Sequence, residues 1–90
     1  MALDYHKDSG VLKALGHPLR LKIVEGLISY KDCNVGDIVK RLKIPQSTIS
    51  QHLALLRHKG IITPTKEGTK TCYRVTDKRI KRLLVILLKK

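Results

Sequence analysis

Between Leu42 and Gln46 the chain has only Lys43, Ile44 and Pro45 in which to end one amphipathic segment and begin the next. Val35 to Leu42 reads as a short helix that Asn34 caps and that turns Ile38, Val39 and Leu42 inward. A longer helix then runs from about Pro45 to Lys59 and stops at Gly60, with Ile49, Leu53 and Leu56 apolar. Two helices joined by so short a break must cross rather than continue, and that restricts the fold to a helix-turn-helix class.

The flanking segments narrow it further. Residues 3–15 read as a first helix, weakened by Gly10. Pro18 suits the first position of a second helix, and Leu19, Ile23, Val24, Leu27 and Ile28 recur at helical spacing up to about Tyr30. Beyond Gly60, Ile61-Ile62-Thr63 and Thr71 to Val75 read as two strands joined by a turn at Gly68. Asp77 to Leu88 is a last helix, apolar at Ile80, Leu83, Leu84 and Leu87 but also at Val85, Ile86 and Leu88. That is more apolar surface than one small core absorbs, so a shared face with a second chain is expected. The order α-α-α-α-β-β-α is that of a winged helix-turn-helix: mainly α with a small β-hairpin, one domain over residues 1–90, and a homodimer.

Charge identifies the partner. Nineteen Lys and Arg against seven Asp and Glu give a net +12. Residues 1–39 are balanced, five basic against five acidic, so the whole excess lies in residues 40–90. Segregation of this kind points to a surface that meets a polyanion. With no Trp, no Phe and three Tyr, the core must be aliphatic, and a base-stacking surface for single-stranded RNA is unsupported. The longest apolar run, Leu83 to Leu88, is far below the roughly 20 residues of a membrane span. No apolar leader segment precedes the first helix, and two cysteines fit a reducing cytoplasm, where a bacterial nucleoid is the expected location. No carboxylate pair, Ser-His-Asp arrangement or phosphate-binding Gly loop is present, so an enzyme, a cofactor and a small-molecule substrate are not expected.

The fourth helix carries the sharpest chemistry. With Ile49 at the centre of its buried face, Leu53 and Leu56 fall within about 40° of it. Ser47, Gln51, Ala54 and His58 then face away, flanked by Ser50, Arg57 and Thr48. No acid occurs from Pro45 to Lys59. Hydroxyls and helix N-terminal amides suit phosphates, and a glutamine pairs bidentately with adenine in the major groove. The hydrophilic hairpin, with Lys66 and Lys70 flanking its turn, suits a wing laid on the backbone or the minor groove. A plain solvated face, a nonspecific architectural DNA protein and a protein-interaction module using residues 80–88 are the competing readings.

The same segments resemble a known family. Ala14 to Val24, Val35-Gly36-Asp37-Ile38, Pro45 to Leu56, Gly60-Ile61-Ile62 and Tyr73-Arg74-Val75 are similar, in order, to the motifs of ArsR/SmtB-type bacterial transcriptional regulators. The resemblance spans about residues 11–88. It implies a dimeric repressor on an inverted-repeat operator in double-stranded DNA. Gln46, Ser47, Thr48, Ser50, Gln51 and His52 would lie in the DNA-reading segment. Leu3 and Leu12 on the first helix, with Ile80, Leu83, Leu84 and Leu87 on the last, would form the dimer interface.

Many members of this family sense metals, and the ligands fail one by one. The family's Cys-x-Cys positions are Asn34 and Gly36 here, and Cys33 is out of register. At the last helix Asp77 matches, but the His position is Arg79, beside Lys78 and Arg82. No metal is therefore expected, a pattern similar to the metal-free, PagR-like branch. The cysteines leave a second route, since some members respond to oxidants through cysteine pairs. In a winged helix the segment before the third helix pairs with the base of the second wing strand, which brings Cys33 towards Cys72. Lys31 and Lys70 nearby would favour a thiolate. The competing readings are two inert, buried thiols and a noncanonical metal site.

Overall fold

The computed structural model describes residues 2–88. Its elements are α1 (Tyr5–Leu15), α2 (Pro18–Ser29), α3 (Val35–Leu42), α4 (Gln46–His58), β1 (Thr63–Glu67), β2 (Lys70–Arg74) and α5 (Lys78–Leu88). The expected order is present. Most helix ends follow from local chemistry. Asp4 accepts the Lys7 N–H to open α1, and the His17 ring accepts the Leu19 N–H ahead of Pro18. Asn34 and Asp37 form a reciprocal capping box on α3. Lys43, in the left-handed region at φ 57°, closes α3 through its N–H to Val39 O at 2.7 Å. Gly60, at φ +75°, lets the chain leave α4 where a Cβ would be strained.

The wing differs from expectation at its first strand. Ile61 and Ile62 are not part of it: both are buried core residues that plug the end of α4, and β1 begins only at Thr63. The strand is instead the polar stretch Thr63–Glu67, paired antiparallel with β2 from Thr63↔Arg74 to Glu67↔Lys70. β1 is exposed at every position but Pro64, and a strand so open to solvent does not need apolar alternation. Gly68, at φ +65°, occupies the first central position of the turn, where primed hairpin turns require a positive φ.

The core is aliphatic as composition required. Ile23 and Val24 of α2, Ile38 of α3, and Ile49, Leu53 and Leu56 of α4 are all essentially inaccessible. Val75 after β2 and Ile80 and Leu84 of α5 complete the same cluster. This packing fixes the angle between α3 and α4 and hangs the wing beside α4.

A polar cluster sets α3 against α2. Arg41 Nε donates to Asp32 Oδ2 at 2.7 Å and its Nη2 to Lys22 O at 2.9 Å, and the guanidinium lies 4.6 Å over the Tyr30 ring. Gly26 is buried beneath it, and a Cβ there would collide with both charged groups. The Asp32 side chain is 8% exposed and that of Arg41 24%. Removing one partner of a fully buried pair costs about 3–5 kcal/mol, and the partial exposure of Arg41 lowers this to about 2 kcal/mol. Arg41→Ala should show that loss in chemical denaturation, and an unchanged midpoint would remove the cluster from the account of the fold.

Candidate nucleic-acid interface

The exposed face of α4 is built as the periodicity requires. Gln46, Ser47, Ser50, Gln51, Ala54, Arg57 and His58 are exposed, while Ile49, Leu53 and Leu56 are buried. Thr48 is half-buried at the edge of that face. The N-terminus of α4 is chemically unlike those of the three helices before it. Asp4, His17 and Asn34 cap those three, but Pro45 offers no side-chain acceptor to α4. Thr48 and Ile49 donate to Pro45 O, so the free amides are those of the first turn at Gln46 and Ser47. Uncapped amides beside Ser47 form an acceptor-seeking end that suits a phosphate oxygen.

His52 is placed differently from its neighbours. It is half-buried, with its Nδ1 3.4 Å from Arg20 Nη1 and its ring centroid 4.9 Å from that of His17. Arg20 also donates to Ala14 O at 2.6 Å, so one guanidinium joins the end of α1, α2 and α4. His52 therefore fastens the helix rather than presenting itself with Ser47 and Gln51. Sequence reading missed His17 and Arg20 as partners, because they lie 32 or more residues away.

Burial, then the proximity of His17 and Arg20, holds the His52 imidazole below its ordinary value of 6.5. The folded state thus binds that proton less readily than the unfolded chain. The associated stability is complete above the ordinary value and is lost as pH falls through the lower folded value. Thermal unfolding between pH 8 and 5 should show a falling midpoint on acidification. His52→Gln should flatten that fall, and an identical slope in the variant would exclude His52 as its source.

Lys66 and Lys70 do not share a face. Lys66 pairs with Thr71, and Lys70 pairs with Glu67, so the two lysines point to opposite sides of the ribbon. Tyr73 is on the Lys66 side, and with Ser50, Ala54, Arg57 and His58 it lines a groove between the wing and α4. Lys66 thus shares the ribbon face of Tyr73, the face turned toward Arg57 and α4. Lys70 lies on the side of Cys72 and Arg74. Tyr73 was not expected in this surface, although alternation along β2 placed it opposite Cys72.

The residues expected at a dimer interface separate into two sets. Ile80 and Leu84 are 4% and 3% exposed and belong to the protomer's own core. Every fourth position of α5 must point inward to hold the helix on the domain, which claims these two. Leu3, Leu12 and Leu87 are more than half exposed, and Leu83 is half-buried. An apolar groove between α1 and α5, lined by Leu3, Val11, Leu12 and Leu83, lies open among the described residues.

Cys33 and Cys72 are joined by a disulfide, with Cα atoms 4.7 Å apart. The backbone supports the approach, since the Tyr73 N–H donates to Cys33 O at 2.7 Å. Asp37 reaches the same turn: its carboxylate accepts the Cys33 N–H at 3.0 Å and the Asn34 N–H at 3.3 Å. These bonds hold its carboxyl below the usual range. Glu67 lies within 4.8 Å of both sulfurs. The three do not fit a metal ion in this state, because the bonded sulfurs offer no thiolate and Arg74 holds Glu67 at 2.9 Å. Asp77 is likewise engaged, accepting the Arg79 N–H at 2.8 Å.

A helix-turn-helix with an exposed, acid-free second helix and an adjoining wing defines a winged-helix DNA-binding regulator. A family model of bacterial regulatory proteins of the arsR family matches residues 17–63. The transcriptional repressor PagR of Bacillus anthracis is 38% identical over 85 residues, covering 94% of this chain and 85% of that protein. Its crystal structure superposes with a TM-score of 0.85 over 92% of this chain and 94% of that one. HlyU from Vibrio cholerae, 32% identical, superposes with a TM-score of 0.86 over 97% and 94% of the two chains. The HTH-type regulator MJ1325 of Methanocaldococcus jannaschii is 39% identical, covering 92% of this chain and 93% of that protein. The chain belongs to the arsR family of bacterial regulatory proteins. It is a DNA-binding transcriptional regulator and not an enzyme.

Proposed function

We propose that the chain is a homodimeric repressor that reads an inverted repeat in double-stranded DNA, acting in the cytoplasm at the nucleoid. The observation that carries this reading is the exposed α4 face, whose uncapped N-terminus sits beside Ser47 and Gln51 with no acid in the helix. Gln51 would read a base edge, Ser47, Ser50 and the first-turn amides would hold phosphates, and Arg57 and Lys66 would track the backbone. A second copy on the open α1–α5 groove would set two α4 helices roughly 34 Å apart, one turn of duplex. Relatives carry both repressor and activator names, PagR and HlyU among them. Repression is the simpler reading, since blocking polymerase needs no contact beyond the DNA itself. Selection from a random duplex library tests it. Enrichment of an inverted repeat with half-sites one helical turn apart is expected, with affinity falling steeply in salt. Recovery of unpatterned DNA would favour the architectural reading.

A second reading, thiol-based response, is favoured by the Cys33–Cys72 bond. Disulfides of reducing cytosols are mostly transient and sensing ones. This bond ties the turn before α3 to the wing, so breaking it would leave that tie to the backbone bond from Tyr73 to Cys33. Operator affinity measured in the oxidised and reduced forms would differ under this reading, and equal affinities would end it.

A further inference from the structure

A cleft of about 470 Å³ opens beside the disulfide, between the end of α2 and β2. Ile28 and Val75 give it an apolar wall, and Lys31, Arg74 and Lys81 stand around it. The acid in its lining, Asp32, is committed to Arg41 at 2.7 Å. The cleft is therefore cationic, and its size suits a small molecule. Both cysteines line the cleft, but they are not equally exposed: Cys72 is buried at 4% exposure, whereas Cys33 is half-buried at the surface turn. On β2, Cys72 shares its face with Lys70, a cation that favours a departing thiolate, and with Arg74, whose charge is engaged by Glu67. Glu67, also near the sulfurs, is neutralised by Arg74.

We propose that this cleft admits a small thiol carrying a carboxylate or sulfonate, which opens the disulfide by attack on Cys33. The proposal rests on the thiol-responsive reading and names its reductant and its point of entry. The incoming thiolate forms a bond to Cys33 Sγ as the Cys33–Cys72 bond breaks. The electron pair leaves on Cys72 Sγ, which takes a proton from water. A second thiolate attacks the sulfur of the bound small thiol. This releases the small-molecule disulfide and leaves Cys33 as a thiolate, which is protonated in turn. Two small thiols are oxidised, and the cysteine pair gains two electrons and two protons.

The test uses the full chain oxidised with diamide. Its reduction is timed with 2-mercaptoethanesulfonate, 2-mercaptoethanol and cysteamine, each rate corrected for that thiol's thiolate fraction and basicity. The anionic thiol is expected to react about tenfold faster than the neutral one at low salt, and the cationic one slowest. The advantage should vanish in 1 M salt, on the order of a 3 Å screening length, and in Lys31→Gln/Lys81→Gln. Acid quenching and peptide mapping should find the adduct on Cys33. Rates that ignore the charge of the thiol, an adduct on Cys72, or failure of diamide to join the two cysteines would each overturn the proposal. Operator affinity is read separately in the two forms: equal affinities end the thiol-responsive reading, while the exchange rates alone decide the cleft.

Discussion

Reduction of the Cys33–Cys72 bond is expected to lower the stability of the domain by about 4 kcal/mol, the chain-entropy value for a loop of this length. The bond spans a sequence separation of 39, so it removes much of the freedom of the unfolded chain. A domain of this size is worth in total only about 5–15 kcal/mol. The thermal midpoint should therefore fall by about 20 °C on reduction with a phosphine. The capping box on α3 and the Tyr73-to-Cys33 backbone bond involve neither sulfur, so the fold should persist at ambient temperature after reduction. Calorimetry of both forms checks this. A shift of only a few degrees would mean that those non-covalent bonds already hold the turn and the wing together.

The second large effect falls on recognition. Ser47→Ala/Gln51→Ala should weaken operator binding about a hundredfold, since a good side-chain contact to a base edge is worth about 1–3 kcal/mol. Both residues are exposed and neither takes part in the core, so the thermal midpoint should stay within a degree or two. Affinity for unrelated duplex should fall only by the phosphate contact of Ser47, because Ser50, Arg57, Lys66 and the helix amides remain. Equal loss on operator and unrelated DNA would show that these side chains hold phosphates and read no bases.

Helix ends were legible because each is written in one or two residues: Pro18, Asn34 and Gly60 act through their own backbones and side chains. So was the outward face of α4, which depends only on 3.6-residue periodicity. The first wing strand was misplaced because Ile61 and Ile62 look like strand residues by type, while the fold buries both in the core ahead of the strand. His52 sits in the register of the reading helix, yet its turn inward depends on Arg20, a partner that no local pattern reveals. Ile80 and Leu84 were grouped with the exposed leucines of α5 because an all-apolar helix does not announce which side its own domain claims. The approach of the cysteines followed from topology, since the turn before α3 and β2 are neighbours in any winged helix.

The disulfide also has a topological consequence. Residues 33–72 form a closed covalent ring, and that ring holds α3, α4, the whole of β1 and the start of β2. Of the segments outside it, α1 and α5 are the ones that carry the apolar groove. The part of the molecule proposed to face DNA is thus a macrocycle with two open-ended arms. A single proteolytic nick at Lys66 or Lys70 would leave the oxidised protein in one covalent piece, and only the reduced protein would come apart.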